Sequence, residues 1–305
     1  MTNNLKAHIA IFLANFFYGL NYVIVKSIMP LYISPIALTF LRIMPVTILF
    51  WIVGAFNNNK ITDKKDFKNL FFASIFGVFL NMFLFIKGLN FSTPIDAAII
   101  MTTNPILVLV VAAIVLHEKI SILKIIGIIA GAAGALILVG GKGVLGFNQN
   151  TISGDLLLLA NSVSFAIYLA IARPLMIKYD SITVLKWVFL FGSIMFFPVG
   201  FNEFKHVQWH AMGSFVFLTL GYIIFVTTFL TYLLINYSLK FLRSTTVSIY
   251  IYIQPVISAI FAVLIGMDKF TILNITASSL VFTGVYLVSR DGREKKLKQT
   301  NEVHS

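Results

Sequence analysis

Met101-Thr-Thr-Asn-Pro-Ile106 and Ile251-Tyr-Ile-Gln-Pro-Val256 each place a proline, preceded by a carboxamide, inside an apolar run long enough to cross a bilayer. Proline has no N–H, and its ring presses on the carbonyl four residues back. The C=O groups of Met101 and Ile251 are thereby released. Within hydrocarbon a free carbonyl persists only where protein or a water-filled cavity satisfies it. Two such breaks in matching places predict one central cavity, with Asn104 and Gln254 in its wall and Pro105 and Pro255 as hinges.

The match runs beyond the prolines. Displacing the chain by the 150 residues between Pro105 and Pro255 lays Gly88–Gly140 over Ser238–Arg290 without a gap. Leu89 then falls on Leu239, Phe91 on Phe241, Ala112 on Ala262, Lys119 on Lys269 and Gly134 on Gly284. Asn104/Gln254, Glu118/Asp268 and Ser121/Thr271 are conservative pairs. The chain reads as two related halves.

A mean hydropathy of +0.93, 59% hydrophobic residues and 11% charged residues exclude an ordinary soluble domain, in which roughly a quarter of residues are charged. Runs of about 20 apolar residues read as transmembrane helices. Ten are predicted, over 8–29, 34–56, 68–88, 95–117, 121–141, 154–177, 182–201, 211–236, 242–266 and 270–290. The first follows a start without a small-residue cleavage pattern and is expected to be retained. The chain has no cysteine, so disulfides and thiolate metal sites are excluded. His8, His117, His206, His210 and His304 fall at span ends or in loops and suggest no metal centre. No cofactor is implied.

The net charge of +12 follows membrane topology. With a cytoplasmic N-terminus, Lys and Arg favour the inner side by roughly three to one, which predicts both termini inside. Nucleic acid is not needed to account for it. Five spans per half is an odd number, so the second half crosses in the opposite sense to the first. The expected fold is therefore all-α: an integral membrane protein of ten helices in two inverted five-helix repeats, over 1–145 and 146–290, with a basic tail at 291–305. Transporters use this plan to hold a site at mid-depth and open it alternately to each side. Asn104 and Gln254 lie roughly 14–18 Å into their spans at the helical rise per residue, near mid-bilayer.

Gly19-Leu-Asn-Tyr-Val-Ile-Val-Lys26, Leu41-Arg42, Ala97…Pro105…Glu118-Lys-Ile, Gly127-Ile-Ile-Ala-Gly131-Ala-Ala-Gly134 and the weaker Pro255…Asp268-Lys-Phe carry a resemblance that covers nearly the whole chain. Together they resemble the drug/metabolite transporter superfamily in its ten-helix EamA-type branch. Tyr18 stands where that family usually has tryptophan, and Asp268 stands in place of Glu. The resemblance implies a non-enzymatic carrier in the cell (inner or plasma) membrane that exports amino acids or similar small metabolites. A carrier of sugar-phosphate or lipid-like substrates is the alternative. It is weakened by the lack of a clustered Lys/Arg pocket at mid-depth.

Helical spacing groups polar side chains into stripes. Asn15, Gly19, Tyr22 and Lys26 share a face of the first span, with Tyr18 at its edge; Asn161, Ser164, Phe165 and Tyr168 share one on the sixth. Gly77, Asn81, Phe85 and Gly88 align in the third, and Phe225, Phe229, Tyr232 and Asn236 in the eighth. Tyr250, Gln254 and Ser258 follow at i+4 steps in the ninth, with Ile100, Asn104 and Val108 as their counterparts in the fourth. Converging, they predict a pocket of aromatic rings and neutral hydrogen-bonding groups, greasier on the first-half side. It suits a small, amphipathic, overall neutral solute. The competing reading is that transmembrane Asn and Gln merely bridge helices, at about 1–2 kcal/mol or less.

Arg42 lies roughly 12 Å into the second span. A buried cation there costs at least about 2.5–3.5 kcal/mol unless something answers it. A structural bond to freed carbonyls is the first expectation, and a substrate carboxylate the second. Lys26, Lys87 and Arg173, near span ends, are expected to snorkel. Gly127, Gly131 and Gly134 are expected to allow close helix approach, with no ligand role. Asp96, Glu118, Asp155 and Asp268 all lie near span ends, so no acidic proton relay is evident at mid-depth. The expected partners are a small-molecule substrate and the lipid bilayer, and a homodimer is compatible. A receptor or scaffold is disfavoured by short loops and the repeat; an intramembrane enzyme, by the lack of a nucleophile or metal set.

Overall fold

The computed structural model describes residues 3–56, 59–92, 97, 100–117, 121–140 and 152–264, with 276, 279–280, 282–284 and 286–287. Among these the chain is helical and carries no strand. The helices are α1 (Asn3–Ile28), α2 (Pro35–Ala55), α3 (Asp66–Phe91), α4 (Asn104–Val115), α5 (Ile122–Gly140), α6 (Ile152–Lys178), α7 (Ser181–Lys205), α8 (Ser214–Phe241), α9 (Ser244–Ile249) and α10 (Ile253–Leu264). Six of them, α1, α2, α3, α6, α7 and α8, are long and apolar enough to cross a membrane. Their bounds follow the predicted spans closely. The predicted tenth span and the basic tail lie largely outside the described residues, as do Asp96, the Glu118-Lys-Ile stretch and the Asp268-Lys-Phe stretch.

The helix ends have local causes. Ser34 accepts the Ala37 N–H at the start of α2, with Pro35 in the first turn, where a missing N–H is harmless. Asp180 does the same for Ile182 at the start of α7. At the two central prolines the chain breaks outright. Helix is interrupted by a turn at 102–103 before α4, and α9 is joined to α10 by the 3₁₀ turn Tyr250–Tyr252. Pro105 takes the second position and Pro255 the third of the helix that follows. The sequence predicted continuous spans with a bend; the structure separates them into short pieces.

Two helices carry π-helical stretches, Ile75–Phe79 in α3 and Tyr222–Leu230 in α8. At the 150-residue offset the first falls on 225–229, inside the second. A π turn leaves local carbonyls in need of other donors. In α8 the hydroxyls of Thr227 and Thr228 both donate to Ile223 O. In α3 the donors arrive from other helices: Ser164 to Phe76 O, Tyr232 to Gly77 O and Asn161 to Asn81 O.

Packing brings both halves together. α2 lies against α7 in the opposite direction. Phe40, near the start of α2, meets Phe201 and Phe204 at the end of α7, and Trp51 meets Trp187. α1 packs on α8 and α10, while α6 packs on α3 and α4. Phe50, Phe189 and Phe196 are fully buried where these faces meet. Dispersion and shape fit hold such an interface in lipid, since hydrocarbon gives helices no hydrophobic drive to associate. The outward faces carry Ile48, Ile52, Ile114, Ile194 and Leu218, all exposed, as a lipid-facing surface requires.

Candidate functional site

Around the two helix breaks lies a chamber. It offers about 80 Å³ to the centre of a water-sized sphere, where roughly 10–15 Å³ accommodates one water. α1, α2, α3, α6 and α8 contribute to its wall, with the broken segments at Met101–Asn104 and Val247–Gln254. Met101 and Ile251, whose carbonyls the prolines release, both line it.

Nine of the sequence-selected side chains reach this wall: Asn15, Tyr18, Tyr22, Arg42, Asn81, Asn104, Asn161, Tyr232 and Gln254. Gln254 is held from two sides. Tyr22 Oη donates to its Oε1 at 2.8 Å, and its Nε2 donates to Asn15 Oδ1 at 2.7 Å. Gly19 makes this possible. A Cβ there would stand 2.9 Å from Ile257 Cβ and 3.0 Å from Gln254 O, so only glycine lets α1 and α10 come this close. Asn104, the counterpart of Gln254, has no such anchor. Its Nδ2 points to Met101 Sδ at 3.3 Å, a weak acceptor, and its buried Oδ1 has no partner among the described residues.

Arg42 is 3% exposed. Its Nε donates to Thr228 Oγ1 at 3.0 Å, so the π stretch of α8 sets the hydroxyl that orients the guanidinium. Its buried Nη1 has no partner among the described residues. Tyr18 and Tyr232 stand nearby. The tie is thus to a hydroxyl and not to the freed carbonyls expected, while the residue itself lines the chamber. The lining is consequently cationic, not neutral as the stripes suggested. Its polar groups also come mainly from the first half, contrary to expectation, because Asn15, Asn21, Arg42, Asn81 and Asn104 outnumber Asn161 and Gln254.

Three selected residues do not line the chamber. Tyr168 Oη donates to Asn236 Oδ1 at 2.7 Å, and Asn236 Nδ2 donates to Tyr232 O, forming a brace behind Tyr232. Tyr250 Oη bonds His8 Nδ1 at 2.7 Å, toward the start of α1. Phe225 also leaves its predicted stripe and is 56% exposed. Phe225 lies in the π stretch, where each residue turns the helix by less than the about 100° on which the stripe was counted. The Ser258 side chain lies outside the described residues. The stripes missed Asn21, which lines the chamber with Oδ1 buried and unpartnered; its only signal was an asparagine within an apolar run.

Lys26 does not snorkel. Its Nζ turns back onto the C=O groups of Leu89, Asn90 and Ser92 at the end of α3. Helix-end carbonyls lack intrahelical partners and outcompete the interface for the ammonium. Arg173 likewise directs Nε to Leu242 O at 3.4 Å. Lys87 lies over the Phe83 ring, 5.2 Å from its centroid.

The family model of EamA-like transporters matches this chain over residues 5–140 and again over 152–290. An uncharacterized transporter of Archaeoglobus fulgidus is 28% identical over 289 residues, covering 94% of this chain and 99% of its own length. The uncharacterized transporter YyaM of Bacillus subtilis is 23% identical over 227 residues, 74% of each chain. A solved crystal structure superposes with a TM-score of 0.75 at 17% identity, covering 95% of this chain and 98% of its own. That likeness concerns the fold alone.

Proposed function

The chain belongs to the EamA-like transporter family, and from that premise we propose that it moves small amphipathic organic solutes, amino acids foremost, through the central chamber. The observation that carries this reading is the set of unpartnered polar atoms on the chamber wall. Arg42 offers a cationic N–H donor, while Asn104 and Asn21 offer carbonyl oxygens. A buried polar group without a partner loses about 1–3 kcal/mol. A solute with a carboxylate for Arg42 and an ammonium for the asparagine oxygens answers all three. Tyr18, Tyr22, Phe85 and Phe165 add apolar surface for its side chain. A sugar phosphate, with about two negative charges, would set them against the single guanidinium of the described wall.

Movement follows by alternating access of two inverted five-helix repeats, ten helices in all, with both termini in the cytoplasm of a cell-membrane carrier. The doubled family match, the matching π stretches and the antiparallel run of α2 against α7 support this arrangement. Export is the direction the family resemblance implies. The lining carries no carboxylate among the described residues, which favours uncoupled movement over a carboxylate proton relay.

Flux of radiolabelled amino acids and apolar control solutes in proteoliposomes tests the proposal. Arg42→Met is expected to lower amino-acid flux at least tenfold, the effect of about 1.4 kcal/mol, and to spare amines that lack a carboxylate. Asn104→Leu and Gln254→Leu are expected to lower both. Undiminished amino-acid flux in all three variants would remove the chamber as the solute site.

A further inference from the structure

Lys26 and Arg173 each reach a helix-end carbonyl, at opposite ends of the molecule, the first through three close contacts and the second through one longer one. Lys26 Nζ meets Leu89 O at 2.7 Å, Asn90 O at 3.1 Å and Ser92 O at 3.0 Å. These carbonyls end α3 and sit at the negative pole of its dipole. Arg173 Nε addresses Leu242 O, which ends α8. At the 150-residue offset, Leu242 is the counterpart of Ser92. In each half, then, a cation late in the first helix holds the C-terminus of the third.

Contacts fix the two ends. Ser238 Oγ, near the Arg173 clasp, donates to Ala7 O at the start of α1. Lys26 is at the other end of that helix, roughly 28 Å away by helical rise. The chamber lies between: the Lys26 clasp sits one turn beyond its wall and the Arg173 clasp about two, since Arg173 follows Phe165 by eight residues and Leu242 follows Ile235 by seven. Tyr22 and Phe85 line the chamber and meet edge to face at 5.7 Å. Lys26 and Leu89 each follow them by four residues. At the opposite end Ile235, the counterpart of Phe85, lines the chamber four residues before Leu239.

We propose that Lys26 and Arg173 are positioning residues that latch the two mouths of the chamber. Each joins the first and third helices of its own half over one end of the chamber, and must release before that end opens. This rests on the inverted-repeat reading of the proposed function. A charge-assisted bond is strong while water is excluded and exchanges readily for hydration once the mouth opens. A latch of this kind shifts the balance between two states without deciding which solute binds.

The chain has no cysteine, so a single Met82→Cys change places one thiol in the chamber wall. Its alkylation by a membrane-impermeant maleimide, from either side of vesicles holding the full-length protein, reads which mouth is open. Lys26→Met is expected to raise labelling about tenfold or more from the face of the α3 C-terminus only. Arg173→Met should do so from the other face only, and Lys26→Arg should restore the closed level. A monodisperse elution profile and unchanged far-ultraviolet helicity keep misfolding apart from gating. Equal changes at both faces, or none, would overturn the latches. Labelling that follows the clasps while no solute is carried would uphold the latches and remove the transport reading instead.

Discussion

Tyr22 is where one atom separates packing from site geometry. Tyr22→Phe keeps the ring against Phe85 and removes only the hydroxyl that holds Gln254. Interhelical hydrogen bonds of this kind average about 0.6 kcal/mol and reach about 1.7. Thermal unfolding in detergent should therefore fall by no more than a few degrees. Amino-acid flux should fall further in proportion, since Gln254 then has only Asn15 to orient it. A large loss of stability would show Tyr22 to be a structural strut. Periodicity made Asn15 and Tyr22 legible as one face of the first span, and the proline beside it made Gln254 legible. Periodicity could not separate them from Tyr168, Asn236 and Tyr250, which lie on equally polar stripes but find partners away from the chamber. A stripe gives direction around a helix, not which neighbour will fill it.

Among elements, the π stretches are the feature hydropathy could not disclose. A π turn changes register, and no residue type demands it; only the Thr227-Thr228 pair, whose hydroxyls serve Ile223 O, hints at it afterwards. Deleting Phe225 from α8 should convert the wide π turn toward α-helix, with the flanks kept near their present phase and the residues within the stretch re-aimed. Thr228 would then leave Arg42, and flux should fall at least tenfold while the helical circular dichroism stays near its starting value. Retained flux would show that the π stretch does not position Arg42. Helix α5 gives the complementary case. A Cβ on Gly131 would stand 2.2 Å from Tyr252 Cδ2, so Gly131→Leu forces the ring at the break between α9 and α10 to move. Overpacking of this sort costs about 1–3 kcal/mol, readable as a lowered midpoint of thermal unfolding. An unchanged midpoint would mean the ring repacks freely. Here the glycine pattern did announce close approach; its partner, a tyrosine from the other half, was not legible from α5 alone.

For the whole molecule, composition and run length made the helical membrane fold readable, and the residues of several spans together made the family readable. The chamber's charge was not. Arg42 was visible as an isolated cation, but its balance of one tied and one unanswered nitrogen depends on Thr228, which approaches from the other half. Alternating access as proposed requires the two halves to be inverted around that shared chamber. Single cysteines at Lys60 and Gln208, in the loops after α2 and α7, test it most directly, because α2 and α7 pack antiparallel through Phe40–Phe204 and Trp51–Trp187. Membrane-impermeant labelling of intact cells and of inside-out vesicles is predicted to reach Lys60→Cys from the cytoplasmic side and Gln208→Cys from the outer side. Labelling of both from the same side would contradict it.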